Sequence, residues 1–149
     1  MTTNLIQQDA MVAKIEEMIP KSLDDIIRKN RHLAQMRMAT PEDILKLEAS
    51  VEITGTPMLL NQWRLIALCE PGRVQVFLIG TTKAGKFRMT SRVMATNFDA
   101  MVFRTQSGTL YGLGEPGAGE PDQDDLMGIC AVMTSWGMGA ALGMPAFFY

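Results

Sequence analysis

A chain of 149 residues, 47% apolar and 20% charged, has the size and composition of one folded domain rather than of a disordered or fibrous polypeptide. Two cysteines, Cys69 and Cys130, and one histidine, His32, argue against a disulfide scaffold and a zinc site. The net charge of −2 is unevenly laid out: residues 1–59 carry 7 basic and 9 acidic side chains, residues 60–110 carry 7 and 2, and residues 111–149 carry 0 and 5, so only the middle of the chain is biased towards anionic partners.

The first fifty residues read as helical. Leu23, Ile26, Ile27, Leu33 and Met36 recur at three- and four-residue steps, with Asp24, Arg28, Lys29 and Arg31 between them. Helices are predicted over 5–19, 22–37 and 41–49, the first two separated by Pro20. Ser22 followed by Asp25 resembles a capping box, and Thr40-Pro-Glu-Asp43 supplies a cap, a proline at the first helical position and two acids in the first turn. Residues 51–57 read as extended and then turned.

From residue 58 the pattern changes to short β-rich runs divided by turn residues. Strands are predicted at 59–69, 73–80, 86–96, 101–105 and 109–113, joined at Pro71-Gly72, at 82–85, at 97–100 and at 106–108. Such short loops favour an antiparallel meander over 58–114. Val74 to Ile79 is apolar on both faces and should be central, whereas residues 86–92 alternate and should have one wet face, with Phe87 turned inward. The expected fold class is therefore α+β: a meander of about five strands covered by the N-terminal helices and one C-terminal helix.

Gly112 to Pro121, rich in glycine and proline, is the expected exposed loop, and Asp122 to Asp125 opens a helix predicted over 122–140. On that helix Gly128, Ala131, Ser135 and Gly139 form a small-residue strip suited to packing on the sheet. Pro145 to Tyr149 is apolar enough to be expected in the core. Thirteen methionines, among them Met36, Met38, Met127, Met133, Met138 and Met144, could form an adaptable surface, but methionine also fills awkward core gaps.

Chemistry-bearing motifs are few. His32 stands in a charged stretch without a neighbouring motif, and the paired acids at 24–25, 42–43 and 124–125 fall at helix starts, where the dipole favours them. Gln106-Ser-Gly-Thr109 is not a nucleophile elbow, and Gly112 to Gly117 departs from a dinucleotide fingerprint while carrying Glu115. No cofactor and no metal is expected.

What remains is a row of cations: Lys86, Arg88 and Arg92, at even steps on a predicted strand, share one face, helped by Lys83 in the turn and Arg104 on the next strand. Arginine suits protein interfaces, and aromatic residues for stacking bases are sparse nearby. The expected function is thus a non-enzymatic binding module of inhibitor, immunity or adaptor type whose partner is a protein with an acidic surface. A nucleic-acid-binding β domain is the alternative, and a carboxylate-based enzyme the second alternative.

Residues 90–93, 105–114 and 136–149 (TSRV, TQSGTLYGLG and WGMGAALGMPAFFY) are similar to small uncharacterised bacterial proteins often carried on plasmids and other mobile elements. The resemblance implies an accessory bacterial protein and names no site residue. No apolar run reaches the roughly 20 residues of a membrane span, and MTTNLIQQDA lacks the blocks of a signal peptide, so a cytoplasmic location is expected.

Overall fold

The computed structural model describes residues 8–13, 16–17, 19–28, 30–49, 52 and 54–142. Its fold is α+β, a mixed seven-stranded sheet with four helices among the described residues from Leu23 onward. The elements are α1 (Leu23–Ile26), β1 (Gln35–Met38), α2 (Pro41–Leu45), β2 (Glu48–Ala49), β3 (Met58–Glu70), β4 (Arg73–Thr81), β5 (Phe87–Asn97), β6 (Val102–Thr105), β7 (Leu110–Leu113), α3 (Gln123–Ser135) and α4 (Gly139–Leu142). Residues 8–13 and 16–17 are helical and exposed; 5–7, Met144 and the apolar stretch at 145–149 lie outside the described residues, as do 51 and 53.

The five strands β3 to β7 match the predicted meander closely, but the sheet is not purely antiparallel. Consecutive strands pair antiparallel, and then the first pairs with the last: Met58, Leu59 and Leu60 of β3 lie parallel to Tyr111, Gly112 and Leu113 of β7. Parity explains this. In an up-and-down meander of five strands the first and fifth run the same way, so a ring of five closes only through a parallel pair. β2 adds a second parallel pair, Glu48 with Ala95, and β1 joins the far half of β3 antiparallel.

Closure creates two cores. Leu60, Leu65, Val76, Leu78, Val93, Phe103, Tyr111 and Leu113 come from all five ring strands and fill the interior. The opposite faces of β3, β4 and β5 carry Ile66, Leu68, Phe77, Ile79 and Met89, which pack outside the ring against Leu23, Ile26 and Ile27 and against Leu126, Ile129, Cys130 and Met133 of α3. Val76 to Ile79 serves both cores in alternation, which is why this run is apolar on both faces. Met36 and Met133 are buried and Met38 and Met138 pack against the outer core, so these methionines act as filling.

The helix predicted over 22–37 is corrected. Both N-terminal caps form as read, Ser22 accepting from the Asp25 amide and Thr40 making a full capping box with Asp43. However, α1 stops after one turn, turns at residues 30–33 leave His32 and Leu33 exposed, and Gln35–Met38 is a strand. β3, thirteen residues long, presents an edge from Ile66 to Cys69, and pairing with it satisfies the backbone of 35–38 while burying Met36. Likewise α2 ends at Leu45, and residues 48–49 pair with β5.

α3 ends earlier than its predicted span of 122–140. Trp136 caps it and Gly137, at φ +81°, reverses the chain, with the Gly137 amide donating to the Thr134 carbonyl and the Met138 amide to the Met133 carbonyl. Of the small-residue strip, Gly128 lies against the sheet, where an added Cβ would stand 2.7 Å from the inward-turned Phe87 ring. Residues 114–119 are exposed on one side but tied down on the other. Arg64 donates to the Ala118 and Gly119 carbonyls, each at 2.9 Å, and to Asp125 at 3.4 Å, while the Trp63 indole donates to the Gly114 carbonyl at 3.0 Å.

Candidate functional site

The predicted cation row is not one face. On β4, Phe77 and Ile79 point outward to the helices and Gly80 points the other way. β5 pairs Arg92 with Phe77, Met89 with Ile79, and Arg88 with Gly80, so three steps of β5 span two of β4. The extra residue is a bulge at Thr90–Ser91 that turns the strand over. Arg88 therefore lies on the interior side, donating to the Tyr111 hydroxyl at 3.2 Å, while Arg92 lies outside the ring. Thr90, which simple alternation over residues 86–92 would place on the wet face, is 1% exposed, and its hydroxyl accepts from the Leu78 amide.

The other members separate as well. Lys83 and Lys86 are exposed in the β4–β5 hairpin, whose amides are held by Thr82. Arg104 is half-buried on β6, paired with Ala95 and Leu110, on the side opposite the interior Phe103. Of the five predicted site residues, Lys83 borders an apolar cleft of about 340 Å³ with Pro57, Met58 and Leu59, and Arg92 lines two adjoining clefts in which polar groups gather. A second bulge, at Met94, marks where β5 leaves β4 to pair with β2 and β6.

Two adjoining clefts meet at Arg92 and Gln75. The first, about 290 Å³, is lined by Gln75, Phe77, Ser91, Arg92, Gln106, Trp136 and Met138. Trp136 sits there because the Gly137 reversal ends α3 above β4; it is 40% exposed, and its ring leans on Phe77 at 5.7 Å and 33°. The second cleft, about 230 Å³, opens where β4 and β5 splay, and brings Lys46, Glu48, Arg73 and Arg92 together with Val74 and Met94. Lys46 follows α2 and Arg73 starts β4, so three cations distant in sequence share one opening.

Arg92 has an unusual environment. Its Nε is buried and meets no hydrogen-bond partner among the described residues. The described ion pairs belong to Arg28, Arg31, Arg37 and Arg64, and none includes Lys46, Arg73 or Arg92. An unpaired guanidinium beside an exposed indole, two amides and the Ser91 hydroxyl suits a ligand that offers an anionic oxygen next to an apolar body. Ser91 is held in place by Ser107, whose amide donates to its Oγ at 3.2 Å.

The groups considered for catalysis lie elsewhere, and Asp24 and Asp25 are engaged locally. Asp24 pairs with Arg31 at 2.9 Å, Asp25 with Arg28 at 3.7 Å, and Glu42 is exposed. Asp125, at the start of α3, is held above the usual carboxylate range by burial and by Asp122, with Arg64 opposing. Burial pushes the Cys130 thiol up to about 12, which leaves it neutral. Among the described residues no three metal-ligating side chains converge, and no helix is long and apolar enough to cross a membrane.

Sequence reasoning named Arg92 as one of five cations but not Lys46, Arg73, Gln75 and Trp136, which line the same clefts. One signal was available for Trp136: the following Gly137 is a helix stop, and a tryptophan at a helix end cannot be buried by its own helix. No family model, curated protein or solved structure matches this chain.

Proposed function

We propose that this chain is a non-enzymatic binding module, of inhibitor, immunity or adaptor type, that captures an acidic segment of another protein at the Arg92 cleft. One observation carries the reading: Arg92, half-buried and in no ion pair among the described residues, lines a cleft together with a half-exposed tryptophan. A carboxylate would complete the guanidinium, and the neighbouring residue of the partner would rest on Trp136 and Met138. Local engagement of Asp24 and Asp25 supports a non-catalytic role, and the net charge of −2 argues for a local contact rather than a long polyanion track.

The test is capture from a bacterial lysate with nuclease-treated and untreated halves, comparing the wild-type chain with Arg92→Glu and with a triple Glu variant at Lys83, Lys86 and Arg88. A stoichiometric protein partner that survives nuclease, is lost with Arg92→Glu and persists with the triple variant is the expected result. Capture indifferent to Arg92 overturns the reading. Trp136 beside Arg92 also offers a ring on which a base could stack, the specific observation that favours nucleic acid. Recovery of nucleic acid whose binding falls steeply with salt would move that reading to first place.

A further inference from the structure

We infer that the acidic group taken at this site is a phosphorylated side chain rather than a carboxylate. The inference rests on the capture reading above and adds the chemistry of the partner. The cleft where β4 and β5 splay is lined by three cations, Lys46, Arg73 and Arg92, against one acid, Glu48. None of the three has a carboxylate within ion-pair distance among the described residues. One carboxylate would leave most of that charge unmatched, whereas a phosphomonoester carries roughly −1.5 to −2 at neutral pH and offers three acceptor oxygens. Two arginines supply forked donors for those oxygens, and Lys46 adds a point charge.

The adjoining aromatic cleft gives the recognition its second half. Arg92 and Gln75 line both openings, so a group held on the cationic side has its chain neighbours directed over Phe77, Trp136 and Met138. That arrangement fits a peptide with a large apolar residue next to the phosphorylated one. The five acids beyond residue 110 disfavour a continuous polyanion on this face of a chain that is acidic overall.

Fluorescence anisotropy on the full chain would test this with three synthetic peptide pools. Their central position is phosphoserine, serine or glutamate, the flanks are degenerate, and inorganic phosphate and adenosine monophosphate serve as competitors. The phosphoserine pool is expected to bind about tenfold or more tighter than the other two, with Lys46→Ala or Arg73→Ala each weakening it about tenfold. Both residues are exposed, so thermal unfolding should be unchanged in these variants. Arg73→Lys should recover part of the loss, and Trp136→Ala should alter the preferred flanking residue while keeping the phosphate preference.

Equal binding of the glutamate and phosphoserine pools overturns the inference while lysate capture that depends on Arg92 keeps the capture reading. The mononucleotide binding more tightly than the phosphoserine pool also overturns it. Lysate capture unaffected by Arg92→Glu removes the reading beneath it.

Discussion

Arg92 and Arg37 are both arginines on ring-side strands, and they are used in opposite ways. Arg37 donates to both carboxylate oxygens of Asp43, at 2.6 and 3.2 Å, and Asp43 also accepts from the Thr40 amide, so the pair locks β1 to the start of α2. The Arg37 bond, opposed by burial and aided by Thr40, holds the Asp43 carboxyl down to about 2, and Arg37 is raised in turn. Because the folded value lies below the unfolded one, the stabilisation is present above about pH 4 and is lost as the pH falls towards 2. Urea titrations from pH 5 to pH 2 should show that loss, and Asp43→Asn should flatten it. Removing Arg37 alone leaves a nearly buried carboxylate unpaired, and Arg37→Leu should cost roughly 2–4 kcal/mol. Arg92 carries an unmet donor instead. Replacing it with leucine removes that donor, so Arg92→Leu should raise stability by about 1 kcal/mol while abolishing capture, both read from urea denaturation and the lysate experiment. A stability loss in Arg92→Leu would show that the guanidinium is satisfied within the fold.

At the scale of elements, a single inserted residue decides which side chains can act together. The bulge at Thr90–Ser91 separates Arg88 from Arg92, and no residue at that point announces it, because bulges answer to the twist of the neighbouring strands rather than to local propensity. The caps, by contrast, are local chemistry, and Ser22, Thr40 and Asp122 accept the amides that their sequence context predicts. Packing of α3 on the sheet rests on Gly128 against Phe87. Gly128→Ala should therefore cost about 1–3 kcal/mol by forcing the ring aside, and Phe87→Leu in the same chain should recover part of it, as a double-mutant cycle in urea would measure. Arg64 does similar work for residues 114–119, and its replacement by alanine should raise amide exchange at Ala118 and Gly119 while leaving the interior strands protected.

For the whole molecule, the two cores share their strands, and this should make unfolding a single event. β3 gives Leu65 to the interior and Ile66 to the outer core, and β4 gives Leu78 and Ile79 in the same way. The two tryptophans report on different cores, Trp63 packing against the interior cluster and Trp136 against Phe77 outside it. Single-tryptophan variants, Trp63→Phe and Trp136→Phe, should give coincident fluorescence transitions in urea; separated midpoints would mean that the ring and its helical cover unfold independently. The sequence by itself determined the α+β class, the five ring strands to within a residue or two and the helix starts, because alternation, turn residues and caps are short-range patterns that act on a few neighbouring residues. Only the tertiary structure decided that the meander closes through a parallel pair, that residues 35–38 become a strand on the long β3 edge, that a bulge turns Arg88 away, and that Lys46, Arg73 and Trp136 meet Arg92. Those outcomes depend on contacts between segments tens of residues apart, where ring parity, strand twist and the hydrogen-bonding needs of an open edge override local preference.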